Sequence, residues 1–259
     1  MSMPYPPLSH KLRTSVRDLQ RAVHRDATRT FVVEGVRACE ALAGAALRPD
    51  LVIIRQDADQ RALQVATTMA MLGVDVVTAS TRDMELMCDA VTPQDVMAVV
   101  PFPAERPLGD RVVVLDGIAD PGNAGTIVRT AAWFGFTDVV FLSGCVDPFH
   151  PKVVRSTVGT HARINVLRDA SINAFRNAWH ERGPIVAAVV DSGVTPDSVD
   201  RSASAVALLI GGEANGLSDA ALDAATIRLT IPGSGDVESL NAAVAAAILC
   251  YEFRARGGS

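Results

Sequence analysis

Three glycine-rich loops hold most of the polar residues that could act together in chemistry. Each loop follows an apolar run typical of a buried strand. DGIADPGNAG (residues 116–125) follows VVVL, GGEANGLS (211–218) follows VALLI, and PGSGDVESLN (232–241) follows IRLTI. In open α/β sheets, ligands bind at the carboxyl ends of the strands, and glycines let main-chain groups approach a ligand closely. The loops therefore predict a pocket for a nucleotide-like ligand.

The polar side chains in and beside these loops have both structural and functional interpretations. They are Asn123, Arg129, Glu213, Asn215, Glu238, Ser239 and Asn241. Arg129 lies in an otherwise apolar helical segment. An arginine there reaches solvent, pairs with a carboxylate, or is directed at a phosphate or a developing oxyanion. Glu238 and Ser239 could equally cap the N-terminus of the last helix. These residue types suit a ligand that carries phosphate and hydroxyl groups.

The chain lacks the motifs of several other enzyme classes. It has neither a P-loop nor a G-x-G-x-x-G dinucleotide fingerprint. The histidines are scattered, and no metal site is expected. The cysteines are Cys39, Cys88, Cys145 and Cys250. They are far apart and form no C-x-x-C motif. This spacing favours reduced, buried thiols in a cytoplasmic protein over a disulfide or zinc framework. No apolar run is long enough to span a bilayer, and the N-terminus carries no secretory signal.

The elements that must position these residues fall into two α/β domains. The chain has 259 residues, of which 49% are hydrophobic and 20% charged, a composition typical of globular domains. Strand-like runs alternate with helical segments through the first hundred residues. The proline-rich stretch PFPAERPLGD (101–110) then marks a boundary, after which the alternation restarts. Strands separated by helices predict a mostly parallel, covered sheet. We expect domains at residues 1–105 and 106–259.

The N-terminal segment is basic, although the net charge of −5 argues mildly against nucleic acid as a partner. Arginines recur there every four residues, at Arg13, Arg17, Arg21, Arg25 and Arg29. A helix from Leu8 to about His24 would place consecutive members of this row on one side. The row is then either a solvated face or a basic edge for RNA phosphates, and the sequence leaves both interpretations open.

The three loops, taken with the helices that follow them, resemble the signature motifs of a known family. DPGNAGTIVRTAAWFG, IGGEANGLS and IPGSGDVESLNAAVAAAILCYE, in this order, are similar to the three motifs of the SpoU (TrmH-like) ribose methyltransferases, S-adenosylmethionine-dependent RNA enzymes of the SPOUT class. This resemblance covers residues 112–252. FVVEGVRACEAL and TPQDVMAVV resemble the small L30e-like RNA-binding domain of rRNA-modifying members, including the thiostrepton-resistance type. Asp95 departs from that pattern, since relatives commonly have glycine there.

The resemblance implies a fold, an assembly and site residues. The fold is an L30e-like α/β domain followed by an α/β SPOUT domain with a deep trefoil knot, and the assembly is a homodimer through the C-terminal domain. S-adenosylmethionine is the implied cofactor, held at Leu209, Gly211, Ile231, Leu240 and Asn241. The implied catalytic residues are Arg129, Asn123, Glu213, Ser239 and Asn241. RNA contacts are expected at Arg155 and Ser156, and along the arginine row at Arg13, Arg17, Arg21 and Arg25.

The implied reaction transfers a methyl group to a ribose 2′-hydroxyl, above all in 23S rRNA. Such an in-line displacement needs no metal, and positioning supplies much of the acceleration. A guanidinium stays protonated at physiological pH. Arg129 is therefore expected to bind the adjacent phosphate and stabilise the alkoxide, while the proton leaves through the phosphate, Glu213 or water. Alternatives are a tRNA 2′-O-methyltransferase, an inactive RNA-binding relative, and a Rossmann-like oxidoreductase, which the missing fingerprint disfavours.

Overall fold

The computed structural model describes residues 4–45, 47–89, 92–104, 106–201, 203–235 and 237–255. The chain divides into two units. The N-terminal unit comprises Met1–Ala104 together with Phe149–Arg163, and the C-terminal unit comprises Glu105–Pro148 together with Ile164–Ser259. The expected domain at 106–259 therefore lacks one segment, 149–163. That segment joins the N-terminal unit because Phe149 and Val154 are buried in its hydrophobic core.

The N-terminal unit is built on a mixed four-stranded sheet. β4 is antiparallel to both of its neighbours, β1 and β2, whereas β2 and β3 are parallel, and the strand order is β1-β4-β2-β3. The strands are β1 (Thr30–Glu34), β2 (Leu51–Arg55), β3 (Asp75–Ala79) and β4 (Val96–Pro101). Six helices of this unit are α1 (His10–Asp18), α2 (Ala22–Thr28), α3 (Val36–Ala43), α4 (Gln60–Met71), α5 (Thr81–Met87) and α7 (Pro151–Thr157).

Both faces of this sheet are covered. Successive side chains of a strand point to opposite faces, so Val33 packs in a cluster with residues of α3 and α4, whereas Val32 packs in a second cluster with residues of α1 and α5. Four of the five residues of β2 are buried, as expected for a strand covered on both faces. The continuous apolar runs in the sequence correspond to this double burial.

The C-terminal unit contains a six-stranded sheet in which every neighbouring pair is parallel. The strand order is β10-β8-β9-β5-β6-β7. The strands are β5 (Arg111–Asp116), β6 (Asp138–Leu142), β7 (Asn165–Ala170), β8 (Ile185–Val189), β9 (Val206–Gly211) and β10 (Ile227–Thr230). Its helices are α6 (Pro121–Trp133), α8 (Ile172–Trp179), α9 (Asp219–Ala224) and α10 (Ala242–Glu252). The expectation of an α/β fold with a mostly parallel sheet is confirmed.

The connections of this sheet bring the three loops to one edge. Because all six strands are parallel, the carboxyl ends of β5, β9 and β10 point the same way, and each leads directly into one of the loops. β10 is the outermost strand of the sheet. After it, the chain turns back towards the middle of the sheet and places α10 against α6 and β9. On the opposite face, Phe175 and Trp179 of α8 pack with Val112 and Leu209. Within the described ranges, no helix is long and apolar enough to cross a membrane.

Candidate active site at the sheet edge

Three polar side chains, one from each loop or the helix start beside it, form a hydrogen-bonded cluster. The side-chain amide of Asn123 donates to Oε1 of Glu213. Nδ2 of Asn241 lies 3.1 Å from Oδ1 of Asn123 and 3.3 Å from Oε1 of Glu213. The structure thus brings together three of the five expected catalytic residues, although they are far apart in sequence.

Helix starts fix two members of this cluster. Asp120 caps α6, where its carboxylate accepts the main-chain N–H of Asn123 at 2.8 Å and Pro121 occupies the first helical position. Asn241 caps α10, where its Oδ1 accepts the N–H groups of Ala243 and Val244 at 2.9 and 3.3 Å. The alternative that Glu238 or Ser239 caps the last helix is wrong, because that helix begins one residue after Asn241.

A tight turn presents the third member, Glu213. The N–H of Gly216 donates to the carbonyl of Gly212 at 2.9 Å and closes the turn. A Cβ on Gly212 would lie 2.3 Å from the carbonyl oxygen of Gly117, and a Cβ on Gly211 would lie 2.3 Å from the main-chain carbon of Gly216. Both positions therefore require glycine, because the turn of the second loop closes against Gly211 and the first loop packs against Gly212 without space for a side chain.

A cavity of about 970 Å³ opens between the second and third loops and the ends of β8, β9 and β10. Of the expected cofactor-binding residues, Gly211, Ile231 and Leu240 line this cavity, whereas Leu209 and Asn241 do not. Leu209 is fully buried inside β9, where it pairs with β5 and β8. The last two residues of β9, Ile210 and Gly211, do line the cavity. Asn241 borders the cavity through its hydrogen bond to Glu213, which lines it.

The end of β8 forms a further wall of the cavity, which the sequence did not predict. Val190 and Asp191 line the cavity there. Ser192, which follows, adopts a left-handed conformation with φ of 58°, and the N–H of Gly193 donates to Oγ1 of Thr230 at 3.0 Å. This tight turn ties the wall to β10. The available signal was the apolar strand IVAAVV followed by DSG, which ends at the same sheet edge.

The charge of the cavity wall is negative. Its ionisable side chains are Asp191, Glu213 and Glu238, and the described part of the chain contributes no basic side chain to the wall. The rest of the lining is mostly apolar or glycine, for example Leu229, Ile231 and Gly233. Apolar surface with a few polar groups is typical of small-molecule sites. The wall therefore favours a ligand that combines an apolar part with positive charge.

Arg129 lies outside this cavity. It is on the exposed side of α6, just over two turns from Pro121. Among the residues that the structure describes, none forms a hydrogen bond or ion pair with Arg129. Ser239, the remaining expected catalytic residue, is exposed and lines the cavity. A free guanidinium on the helix that carries Asn123 is available to a substrate phosphate.

The arginine row does not lie along a single helix face. α1 ends at Asp18 and α2 begins at Ala22, so the chain turns between them. Arg25 is 1% exposed and donates to the carbonyls of Leu19 and Gln20 at 2.8 and 2.9 Å. The prediction of an RNA contact at Arg25 is therefore wrong, because this side chain holds the turn between the two helices together.

The other members of the row lie at the surface. Arg13 pairs with Asp83 at 2.6 Å, and Arg17 lies 3.4 Å from Asp18. Arg21 is exposed at the N-cap position of α2. Only part of the expected basic edge therefore remains free of internal partners, and contact with RNA at these positions stays a prediction.

Arg155 and Ser156 have internal partners within the N-terminal unit. Nη2 of Arg155 lies 3.0 Å from Oδ2 of Asp89, and its Nη1 lies 3.5 Å from Oε2 of Glu34. The Ser156 hydroxyl donates to the carbonyl of Lys152 at 2.9 Å. Glu34 is buried, and this burial raises the pKa of its carboxyl while the nearby Arg155 lowers it. RNA contact at Arg155 and Ser156 stays a prediction.

The four cysteines are free thiols. Cys39 and Cys250 are buried, and burial raises the pKa of each thiol to about 12. Cys88 and Cys145 are half-buried, and burial raises the pKa of both thiols. None of the four lies in the three loops. Among the described residues, no group of histidine, cysteine and acidic side chains could hold a metal ion.

The sheet and its edge define an α/β protein with a ligand cavity between glycine-rich loops beside a parallel sheet. Comparison with family models identifies the family to which this α/β protein belongs. Residues 110–251 match the model of the SpoU rRNA Methylase family, and residues 14–98 match that of the MRM3-like substrate binding domain. The chain belongs to the SpoU rRNA methylase family.

Individual relatives are similar over nearly the whole chain. The 23S rRNA (guanosine(2553)-2′-O)-methyltransferase RlmP of Bacillus subtilis is 32% identical over 232 residues, which cover 89% of this chain and 90% of RlmP. An AdoMet-bound rRNA methyltransferase from Sinorhizobium meliloti is 28% identical, with a TM-score of 0.81 and coverage of 96% of this chain and 95% of that one. A TrmH-family structure from Porphyromonas gingivalis is 31% identical, with a TM-score of 0.81 and coverage of 96% and 99%.

Proposed function

We propose that the protein is an S-adenosylmethionine-dependent methyltransferase that modifies a ribose 2′-hydroxyl in RNA, and that its RNA is 23S rRNA. The observation that carries this proposal is the Asn123–Glu213–Asn241 cluster at the edge of the cavity. It unites the three motifs that resemble those of ribose methyltransferases. RlmP, which is similar along almost the whole chain, is named for this activity.

The cavity fits the cofactor. S-adenosylmethionine combines an aromatic adenine with a positive sulfonium, and it supplies an electrophilic methyl group. Main-chain groups of Gly211, Ile231 and Leu240 would hold it, since these residues line the cavity and lie in or beside the second and third loops. A Cβ at Gly211 would collide with the turn at Gly216, so the wall is preformed there. The carboxylates of Asp191, Glu213 and Glu238 suit a cationic ligand.

Each catalytic residue then has a defined task. Arg129 binds the phosphate beside the target ribose and stabilises negative charge as the 2′-oxygen develops it. Asn123 and Asn241 position Glu213 at the rim of the cavity through hydrogen bonds that their amides donate. Ser239 offers a hydroxyl at the same rim. As the 2′-oxygen bonds to the methyl carbon, the methyl–sulfur bond would break, a neutral thioether would leave, and the hydroxyl proton would pass to the phosphate, Glu213 or water. Holding the ribose in line supplies much of the acceleration.

The chemistry of the site favours ribose over base as the methyl acceptor. Base methylation needs donors and acceptors that match a base edge, usually after the base flips. The three loops instead offer amides and a carboxylate, beside the guanidinium of Arg129. No cysteine lies in the loops, so nothing supports a covalent thiolate route to a pyrimidine carbon.

The wider assembly follows the same family pattern. The N-terminal unit serves as the substrate-binding domain, in line with its match to the MRM3-like model. The C-terminal unit forms the deep trefoil knot and a homodimer. The return of α10 from the sheet edge onto α6 and β9 supports the knot. Exposed apolar side chains at Leu240, Val244 and Tyr251 support the dimer face. Free thiols and an rRNA substrate support a cytoplasmic location.

The test is to methylate 23S rRNA and tRNA with purified protein and labelled cofactor, digest the RNA to nucleosides, and analyse them by mass spectrometry. Methyl label that stays on the sugar of 23S rRNA is the expected result. Label that leaves with the free base contradicts ribose chemistry, and label confined to tRNA contradicts the rRNA assignment. The Arg129→Ala variant serves as the inactive control.

A further inference from the structure

Asp116, the last residue of β5, contacts both ends of the second loop. Its main-chain carbonyl accepts the N–H of Gly212 at 2.9 Å, and its carboxylate Oδ2 accepts the N–H of Ser218 at 2.7 Å. Gly212 and Ser218 bracket the turn that presents Glu213. One residue of the strand that leads into the first loop therefore fixes both the entry and the exit of the second loop.

The two attachments differ in what they require of residue 116. The bond at Gly212 continues the β5–β9 ladder, in which Asp116 is paired with Gly211, so any residue at 116 could accept it. The bond at Ser218 requires a side-chain acceptor of this length. Ser218 also caps α9 by accepting the N–H of Ala221 on its hydroxyl, at 3.3 Å. The Asp116 carboxylate therefore sets where the second loop ends and α9 begins.

The segment between these attachments is closed upon itself. Gly216 has a left-handed φ of 65°, and its bond to the Gly212 carbonyl closes the turn. The turn leaves no space for a side chain at Gly211, and Gly117 of the first loop leaves none at Gly212. The turn that carries Glu213 is joined to β5 by the two bonds at Asp116. These bonds therefore help to set the orientation of the turn and the position of Glu213.

We infer that Asp116 is a positioning residue of the methyl-transfer site. Its carboxylate orients the second loop so that Glu213 meets Asn123 and Asn241, and so that Gly211 and Gly212 line the cavity. This inference rests on the proposed function. Asp116 itself is not among the residues that line the cavity, so it acts through the loop and not through contact with the cofactor.

The test compares Asp116→Ala with Asp116→Asn, because asparagine retains an oxygen that can accept the Ser218 N–H. We expect Asp116→Ala to bind S-adenosylmethionine about tenfold more weakly by isothermal titration, and its kcat to fall as well. Hydrogen exchange of the 212–218 amides should be faster in Asp116→Ala without any cofactor. Asp116→Asn should restore both the affinity and the protection.

A matched control removes an equivalent bond elsewhere. The Asp59 carboxylate accepts the N–H of Ala62 at 2.8 Å at the start of α4, in the N-terminal unit. Asp59→Ala therefore loses the same kind of carboxylate-to-amide bond, and its affinity for S-adenosylmethionine should equal that of the wild type. Thermal unfolding of both alanine variants accompanies the titrations, and a positioning role lowers the affinity of Asp116→Ala at temperatures at which both variants are fully folded.

The outcomes separate this inference from the proposed function. A wild-type protein that neither binds S-adenosylmethionine nor methylates RNA contradicts the function. A wild-type protein that binds it, with Asp116→Ala equal in affinity and amide exchange, overturns the inference alone. If Asp116→Ala does not fold, Ser218→Pro removes the bonded N–H at a φ of −66° that suits proline, and Ser218→Ala keeps that N–H. Ser218→Pro is expected to bind S-adenosylmethionine more weakly than Ser218→Ala does. Equal affinity of the two variants overturns the inference.

Discussion

The side chains of Asn123 and Asn241 are hydrogen-bonded to each other, with Nδ2 of Asn241 3.1 Å from Oδ1 of Asn123. Asn123 lies in the first turn of α6, and Asn241 caps α10. α6 and α10 pack against each other. The contact between the two asparagines therefore ties the geometry of the site to the packing of the two helices, so that a change at either residue affects both.

Asn241→Ala should weaken cofactor affinity, turnover and stability together. The variant loses the cap of α10, which costs about 1 kcal/mol. It also loses the amide that bonds to Asn123 and Glu213, so the rim of the cavity is no longer fixed. Thermal unfolding, titration with S-adenosylmethionine and methyl transfer are the three measurements.

Asn241→Asp separates the two roles of this residue. Aspartate still accepts the N–H groups of Ala243 and Val244, so the cap of α10 is kept and less stability should be lost than in Asn241→Ala. The new carboxylate faces Glu213 without an amide between them, and like charges repel. Affinity and turnover should therefore fall. Full activity in this variant would contradict the role of the Asn241 amide at the site.

Arg129→Ala should abolish methyl transfer and leave cofactor affinity nearly intact. Arg129 is exposed and does not line the cavity, so the cofactor site survives its removal. Loss of one group that stabilises a developing oxyanion typically lowers kcat about 100-fold to 1000-fold. Single-turnover methylation and isothermal titration measure the two effects.

Arg129→Lys is the companion variant. Lysine keeps the positive charge but cannot make two parallel bonds to a phosphate, so activity between that of alanine and arginine is expected. A folded Arg129→Ala protein that no longer binds S-adenosylmethionine would show that the guanidinium holds the cofactor and not the RNA.

The proposed dimer face can be tested on α10. Val244 and Tyr251 are 48% and 49% exposed, and the Phe134 ring packs edge-on against that of Tyr251 at 5.9 Å. Val244→Glu with Tyr251→Glu should convert a dimer to a monomer, because charge would be buried at an apolar contact. Sedimentation velocity measures the state. Met71→Glu, at a site 84% exposed in the N-terminal unit, is the matched control and should leave the dimer intact.

The sequence predicted the strands that lead into the site loops, and the loops themselves, because both leave local patterns, whereas β7 was not predicted. Buried parallel strands appear as short apolar runs such as LVIIR and VALLI, and the loops appear as glycine clusters directly after them. The first residue of α10 could not be predicted, since Glu238, Ser239 and Asn241 are all plausible N-cap residues. Tertiary contact decided it: the amide of Asn241 also bonds to Asn123 and Glu213.

The arginine row shows why a periodic pattern was insufficient. A spacing of four residues suits one helix face, yet the chain turns between α1 and α2 and buries Arg25 against main-chain carbonyls. The segment 149–163 was also missed as part of the N-terminal unit, because its docking depends on Phe149, whose ring stacks on Phe102 at 4.1 Å. Such long-range contacts leave no local pattern.

Because Arg25 is buried and Arg17 and Arg21 are at the surface, replacing them should affect stability and RNA affinity differently. Replacing Arg17 and Arg21 by alanine should flatten the dependence of RNA affinity on salt, by roughly 0.7 to 0.9 in the slope of log K against log salt per lost phosphate contact. Arg25→Ala should instead lower stability, since it leaves the Leu19 and Gln20 carbonyls without this donor. An unchanged slope in the double variant means that Arg17 and Arg21 are only a solvated surface.

The ion pair of Glu34 and Arg155 predicts a pH-dependent loss of stability. Glu34 is 6% exposed, and burial raises the pKa of its carboxyl. The N–H of Asp89 donates to Glu34 Oε1 at 3.2 Å, and this bond together with the charge of Arg155 lowers that pKa. Arg155→Ala removes the charge, so the folded-state pKa of Glu34 rises further.

The sign of the effect follows from proton binding. An acid whose pKa is higher in the folded state than in the unfolded state loses stability as pH rises above the unfolded value. Arg155→Ala should therefore cost more stability at pH 8 than at pH 5, because Glu34 must ionise without its partner at the higher pH. Urea unfolding at both pH values measures this. Lys152→Ala, an exposed change on the same helix, is the control. An equal loss at both pH values would mean that the charge of Glu34 does not set the effect of Arg155→Ala.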